Sequence, residues 1–185
     1  LAGGGYAMHI MRAESPGPSV GKLAPKVKTT AKILYIIYLV MTLIQVVLLL
    51  LGGMPLFDSL ATSFGTAGTG GFGIKNNSIA FYDSYYLQGV VTVFMILFGV
   101  NFNVYYLLRV KKFKDAFSCE EARMYLGIIL VSVLVITYNI RGMFGSVFEA
   151  FHHAAFQVGS IITTTGFSTV DFDTWPELSK TILIA

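Results

Sequence analysis

The chain has 185 residues, of which 55% are hydrophobic and 12% charged, about half the charged share of ordinary soluble domains. These values exclude a disordered chain and argue against a soluble domain, because the apolar residues lie in long uncharged runs rather than at scattered core positions. A single cysteine, Cys119, excludes an intrachain disulfide and a cysteine-based metal site, and a net charge of +3 is too small to point to nucleic acid.

Residues 1–28 are basic and contain Gly and Pro, with a loop signal at Ala13-Glu14-Ser15-Pro16-Gly17-Pro18. Residues 33–51 form 19 uncharged positions, nearly enough for a helix to cross a hydrocarbon core of about 30 Å, and Gly52-Gly53 and Pro55 end the run. A shorter apolar stretch at 55–67 cannot span. It leads into Gly65-Thr66-Ala67-Gly68-Thr69-Gly70-Gly71-Phe72-Gly73 and an exposed loop at 75–78. Residues 85–108 are 24 uncharged positions, long enough to span with some tilt. A charged loop at 109–123 follows, then a third run at 124–140 and a second short helix candidate at 147–162. Thr163-Thr164-Thr165-Gly166-Phe167-Ser168 comes next. After an acidic loop, Trp175-Pro176 opens a last apolar run. The chain starts at Leu1, shows no signal-peptide pattern and ends inside that run, so we expect an internal piece of a longer membrane protein.

The order long, short, Gly/Thr, long occurs once in full and then begins again, which is an internal repeat. Ala31-Lys32 corresponds to Ala122-Arg123, and Phe57-Asp58 to Phe148-Glu149, at an offset of 91. Gly71-Phe72 corresponds to Gly166-Phe167 at 95. The difference of four residues falls inside the short helix and equals about one helical turn. The expected organisation is a loop at 1–28, a repeat at 29–109 with a pore helix at 55–67 and a filter at 68–72, and a loop at 110–121. A second repeat follows at 122–185, with a pore helix at 147–162 and a filter at 163–167, cut in its last helix.

Segments 1–32 and 109–123 hold ten of the 13 basic residues against four acidic ones, a balance of +6. The opposite side holds three basic and six acidic residues, a balance of −3. The positive-inside rule makes the first side, with residues 1–28 and 110–121, cytoplasmic in a multi-pass membrane protein. The short helices then enter from outside under an acidic mouth that includes Asp171 and Asp173. Tyr82, Tyr85, Tyr86 and Trp175 are expected at the outer interface, where amphipathic rings are favoured.

Irregular backbone survives at membrane depth only when buried in protein or lining a water-filled path. A short helix returning as a Gly/Thr strand suits such a path, because its carbonyls can replace the hydration shell of a monovalent cation. Glycine permits the required backbone angles, threonine adds a neutral acceptor, and the helix C-terminus contributes partial negative charge. Small residues at ordinary helix contacts are the alternative for either stretch alone, but two equivalent stretches favour a filter.

Thr163-Thr164-Thr165-Gly166-Phe167-Ser168-Thr169 and Thr69-Gly70-Gly71-Phe72 resemble filter segments of the Trk/Ktr/HKT superfamily of potassium transporters. Arg12-Ala13-Glu14-Ser15-Pro16-Gly17-Pro18 and Gly99-Val100-Asn101-Phe102 resemble segments of its bacterial Trk membrane subunit. The resemblance covers nearly the whole chain. It implies an all-α polytopic membrane protein of repeated membrane helix–pore helix–membrane helix units with re-entrant filter loops, of which this sequence holds the second and most of the third. It also implies the pore-forming subunit of a potassium uptake system rather than an enzyme. The implied K⁺-coordinating residues are Thr69, Gly70 and Gly71 with Thr164, Thr165 and Gly166, and the Gly70-Gly71 pair leaves the register open by one residue. Phe72 and Phe167 are implied to brace the filter. The implied partners are K⁺ and other monovalent cations, membrane lipid, a second copy of the full-length chain in a homodimer, and a cytosolic nucleotide-binding regulatory subunit. An ion-coupled cation symporter of similar topology and a non-conducting membrane scaffold are the alternative readings.

The remaining polar residues suggest structural roles. His152 and His153 on the second short helix favour packing or an interhelical hydrogen bond over a metal or proton-relay role. Asn101 and Asn103 favour helix contacts over a cavity lining, and Arg141 a headgroup contact. The basic loop at 109–114 fits a topology signal or an anionic-lipid contact equally well. No nucleotide fingerprint, zinc-protease helix or nucleophile elbow is present.

Overall fold

The computed structural model describes residues 27–109 and 111–184, without the side chains of 27–30 and Asn103. The Arg12–Pro18 motif, most of the expected cytoplasmic segment 1–28 and the Asn103 side chain therefore lie outside the described residues. Eight α-helices and two short 3₁₀ turns occur among them, with no strand. Helix α1 is Val27–Leu51, α2 Leu56–Ala67, α3 Tyr85–Gly99 and α4 Phe102–Arg109. Then come α5 Phe113–Phe117, α6 Glu120–Ile140, α7 Val147–Ile162 and α8 Glu177–Ile184.

Two segments, Ala31–Leu51 in α1 and Glu120–Ile140 in α6, are long and apolar enough to cross a membrane. Only 28% of each apolar window is buried, so most of the apolar surface faces outward. Tyr35, Leu39, Leu43 and Leu51 on α1, and Met124, Leu130 and Val131 on α6, are among the exposed residues. Such faces are solvated by lipid far better than by water.

Helix α1 stops where its glycines permit. Gly53 takes φ +84°, its N–H bonds to the Leu50 carbonyl at 2.9 Å, and the Met54 N–H bonds to Leu49 at 3.2 Å. This is a Schellman closure with glycine in the left-handed position. Gly52 serves a different purpose, since a Cβ there would lie 2.5 Å from Leu87 Cδ2 and 2.7 Å from Tyr86 Cε1. Its absence lets the end of α1 meet the start of α3, and the Tyr86 hydroxyl bonds to the Leu48 carbonyl at 3.1 Å.

Two elements differ from the sequence expectation. The uncharged run at 85–108 is not one helix: it breaks at residues 100–101 between α3 and α4. Gly99 weakens the helix, and Asn101 is a residue type favoured just before a helix start. The Asn101 amide donates to Glu121 Oε2 at 2.7 Å. The charged stretch at 109–123 is partly helical. It contains α5 and the first turn of α6, whose Glu120 and Glu121 suit a helix N-terminus. Trp175 is buried, with 3% exposure, whereas Tyr85 and Tyr86 are exposed.

The chain divides into two compact units. One comprises the described residues up to Met41 together with Gly99–Leu126. There Tyr38 lies against Phe102 with ring centroids 6.5 Å apart, and Ala116 and Ala122 are buried. The other comprises Thr42–Phe98 and the residues from Gly127 onward. Its core joins Leu49, Met54, Ile79, Leu87, Val91 and Met95 to Phe156 and Phe167. The two halves of the sequence repeat thus share one apolar centre. Gly159 on α7 faces Ile96 on α3, with Cγ1 3.4 Å from where a Cβ would sit.

Gly52→Ala in the full-length protein is expected to lower stability by about 1–3 kcal/mol through overpacking. The unfolding midpoint of purified protein in detergent checks this, and an unchanged midpoint would contradict the close α1–α3 approach.

Candidate functional site

Helices α2 and α7 are the two short helices, of 12 and 16 residues. Their starts are 91 residues apart and their ends 95, so the extra turn lies within α7. They begin differently. Ser146 caps α7 by accepting the Glu149 N–H at 3.1 Å, and Glu149 Oε2 accepts the Gly145 N–H at 3.1 Å. This is close to a capping box. Helix α2 follows Pro55 with no side-chain cap. Its Asp58 instead accepts a short hydrogen bond from the Tyr82 hydroxyl and lies 3.6 Å from Lys75 Nζ. Burial, then the hydrogen bond and charge of Asp58, push the Tyr82 phenol up to about 12, so it stays a donor at neutral pH.

The two helices end alike. The N–H groups of Gly68, Thr69, Gly70 and Gly71 bond to the carbonyls of Phe64, Thr66, Gly65 and Gly65 at 2.9, 3.2, 2.9 and 3.4 Å. Those of Thr163, Thr164, Thr165 and Gly166 bond to Gly159, Ile161, Ser160 and Ser160 at 3.3, 2.9, 2.9 and 3.3 Å. Each partner pair is related by the same offset of 95. The sign of φ alternates identically. Gly68 and Thr163 have φ −86° and −90°. Thr69 and Thr164 have +49° and +57°, Gly70 and Thr165 are not positive, and Gly71 and Gly166 have +61° and +85°. This common pattern aligns Gly71 with Gly166 in backbone conformation.

Both helices therefore close in Schellman form, but with threonine where glycine is usual. A β-branched residue in the left-handed region is strained by about 1–3 kcal/mol, and here it recurs at two equivalent positions. All eight N–H groups are turned back into the helices. Among the described residues, no hydrogen bond ends on the carbonyl oxygens of Thr69, Gly70, Gly71, Thr164, Thr165 or Gly166. Two runs of unengaged carbonyls at helix C-termini are chemically suited to a cation.

The two segments lie side by side. A Cβ on Gly71 would collide with the Thr165 carbonyl oxygen, whereas nothing lies within 4 Å of one on Gly166. Phe167 is buried and its Cζ is 3.1 Å from a Cβ position on Gly65. Phe72 is 83% exposed, so only Phe167 braces a segment by packing among the described residues. Loop contacts reinforce the pairing. The Ala80 N–H bonds to the Ser168 carbonyl at 3.1 Å, and the Ser168 N–H bonds to Ser78 Oγ at 3.2 Å.

His152 and His153 both have hydrogen-bond partners within the protein. His152 Nε2 donates to Gln88 Oε1 at 2.7 Å, and Gln88 Nε2 donates to the Tyr82 carbonyl at 2.9 Å. His153 Nδ1 lies 3.0 Å from Thr169 Oγ1. Asp171 accepts the Asp173 N–H within an exposed turn, and Arg141 stacks 4.2 Å from the Tyr138 ring centroid. Cys119 is a half-buried free thiol. No group of three metal-ligating side chains occurs among the described residues. Gln45, Gln88 and Ser160 also belong to this region, although the sequence reading did not single them out. The available signal was a glutamine inside an otherwise apolar run, at 45 and at 88.

The sequence model of the TrkH family, described as cation transport protein, matches residues 4–141. The Trk system potassium uptake protein TrkH of Salmonella typhimurium is 32% identical over 181 residues, which are 96% of this chain and 38% of that protein. The protein of the same name from Halomonas elongata is 35% identical over 95% of this chain and 37% of its own length. The crystal structure of the potassium transporter TrkH from Vibrio parahaemolyticus superposes with a TM-score of 0.83 and 31% identity, covering 96% of this chain and 38% of that one. The chain thus spans less than two-fifths of the length of these relatives.

Gly71→Ala adds a collision to left-handed strain, whereas Gly166→Ala adds strain alone, about 1–2 kcal/mol. Gly71→Ala is therefore expected to lower the unfolding midpoint of the full-length protein further than Gly166→Ala; the reverse order would contradict the described pairing. Thr164→Gly should raise the midpoint by relieving about 1 kcal/mol or more of strain, measured in the same assay.

Proposed function

The chain belongs to the TrkH family of cation transport proteins, and from that premise we propose that it is part of the pore-forming subunit of a potassium uptake protein. In this reading α2 and α7 are pore helices. The carbonyls of Thr69, Gly70, Gly71, Thr164, Thr165 and Gly166 form two walls of a selectivity filter, and further repeats of the longer protein supply the others. The observation that carries the reading is the duplicated backbone: alternating φ, N–H groups all returned to the helix, and threonine held twice in a left-handed conformation. A scaffold that used these segments only for packing would gain stability from glycine at 69 and 164, so the strain argues for a role beyond packing.

The mechanism follows from the accounting of polar groups. A K⁺ ion leaving water needs oxygen ligands in place of its hydration shell. Carbonyls with no internal partner provide them without a charged side chain. The partial negative ends of α2 and α7 favour a cation over an anion. Permeation is passive, driven by the gradient and the membrane potential, each charge gaining about 2.3 kcal/mol per 100 mV. Fixed N–H groups keep the carbonyl rows in place as ions exchange.

The membrane orientation we propose puts 110–121 and the N-terminal segment on the cytoplasmic side, by the positive-inside distribution of Lys and Arg. A homodimer of the complete chain and a cytosolic nucleotide-binding regulatory subunit complete the proposal, on the strength of the family resemblance.

Rubidium-tracer uptake by the full-length parent protein tests the reading, in cells lacking their own potassium uptake. Gly166→Asp places a carboxylate in the carbonyl row and should abolish uptake at wild-type membrane levels. Wild-type uptake in that variant would remove the filter assignment. Uptake that strictly requires a co-transported ion would favour a coupled symporter.

A further inference from the structure

The two Gly/Thr segments share a backbone but are tied down differently. The second is held by its own side chains. Ser160 Oγ donates to the Phe167 carbonyl at 2.6 Å. The Thr163 hydroxyl donates to Gly159 at 2.7 Å, so the Thr165 hydroxyl must be the donor in its 2.7 Å bond to Thr163. At the common offset of 95 the corresponding residues of the first segment are Gly65, Gly68 and Gly70. None of these glycines has a side chain with which to form such a tie.

The first segment has a different restraint. Gln45 on α1 is fully buried, and its Nε2 donates to Thr66 Oγ1 at 2.9 Å. Thr66, also fully buried, passes its hydroxyl proton to the Thr62 carbonyl at 2.8 Å. The Thr66 carbonyl receives the N–H of Thr69, the first left-handed residue of the segment. Among the described residues this is the side-chain hydrogen bond that reaches the end of α2 from another helix. Its counterparts in the second half are Ile136, at offset 91, and Ile161, at offset 95, which cannot form it. Each half thus has the device that the other lacks. The Gln45 pair is also a poor source of stability, because Gln45 Oε1 is buried without a partner and an unmet acceptor offsets the bond its Nε2 makes. Its effect is to set position.

We propose that Gln45 is a positioning residue for the filter wall at 69–71: through Thr66 it fixes the last turn of α2, from which the carbonyls of Thr69, Gly70 and Gly71 project, and so contributes to the discrimination of K⁺ from Na⁺. This rests on the filter reading above. A glycine-rich wall left untied would adapt its carbonyl spacing to the smaller ion, which a fixed wall disfavours.

The test is paired ⁸⁶Rb⁺ and ²²Na⁺ uptake by the full-length protein in cells lacking their own potassium uptake, with membrane levels measured by immunoblot. Gln45→Met keeps length without the amide, and Thr66→Val keeps shape without the hydroxyl. Each should lower the Rb⁺/Na⁺ uptake ratio about fivefold, the scale of one lost buried hydrogen bond. The double variant should fall no further, because both substitutions remove one interaction. Thr66→Ser, which keeps the hydroxyl, should retain the wild-type ratio. An unchanged ratio in either single variant present at wild-type level, or equal loss of both ions, overturns the proposal. Absence of Rb⁺ uptake by the wild type instead defeats the permeation reading itself, and with it this one.

Discussion

A backbone amide taken out of water needs a partner within the protein, because an unpaired buried polar group is costly. At the ends of α2 and α7 every N–H from residues 68–71 and 163–166 turns back to a carbonyl of its own helix. That closure has two consequences. It forces the left-handed conformations at Thr69, Gly71, Thr164 and Gly166, and it leaves the carbonyls of the same residues without an internal partner. The strain and the unengaged oxygens are therefore two sides of one arrangement. The glycines make half of it inexpensive, while the threonines do not.

What surrounds the closures is packing that joins the halves of the sequence repeat. Phe167, from the second Gly/Thr segment, enters the core formed by α1, α3 and the loop at 78–82, and its ring edge meets Gly65 on α2. Gly71 has no Cβ because the Thr165 carbonyl occupies that space. Polar links run beside the apolar ones: His152 to Gln88, Gln88 to the Tyr82 carbonyl, and Tyr82 to Asp58. Such buried links add less stability than their number suggests, but they specify which side chains meet. The sequence repeat is thus not a structural one in every side chain. One Gly/Thr segment is stapled by Ser160, Thr163 and Thr165, and the other is glycine with an external tie from Gln45.

Much of this was legible beforehand. The long runs at 33–51 and 124–140 carry the composition of spanning helices whatever their neighbours, and both are found in helices. The doubled order of long, short and Gly/Thr segments, with a four-residue slip inside the short helix, was readable because Phe57-Asp58 and Gly71-Phe72 each have a match. The run at 85–108 misled because hydropathy registers the absence of charge and not the continuity of hydrogen bonds. Gly99 and Asn101 interrupt those bonds without adding charge. The burial of Trp175 was not legible either, because an amphipathic ring suits both an exposed and an interior position.

The sequence by itself determined the class of the protein, its two short helices and the composition of the segments after them, because these depend on local residue type and on spacing along the chain. The collision that requires glycine at 71, the burial of Phe167 but not Phe72, and the pairing of Gln45 with Thr66 were decided only by the tertiary structure. Each of these depends on which atoms, 20 or more residues apart in the chain, come within a few ångströms of one another, and no local pattern encodes such distances.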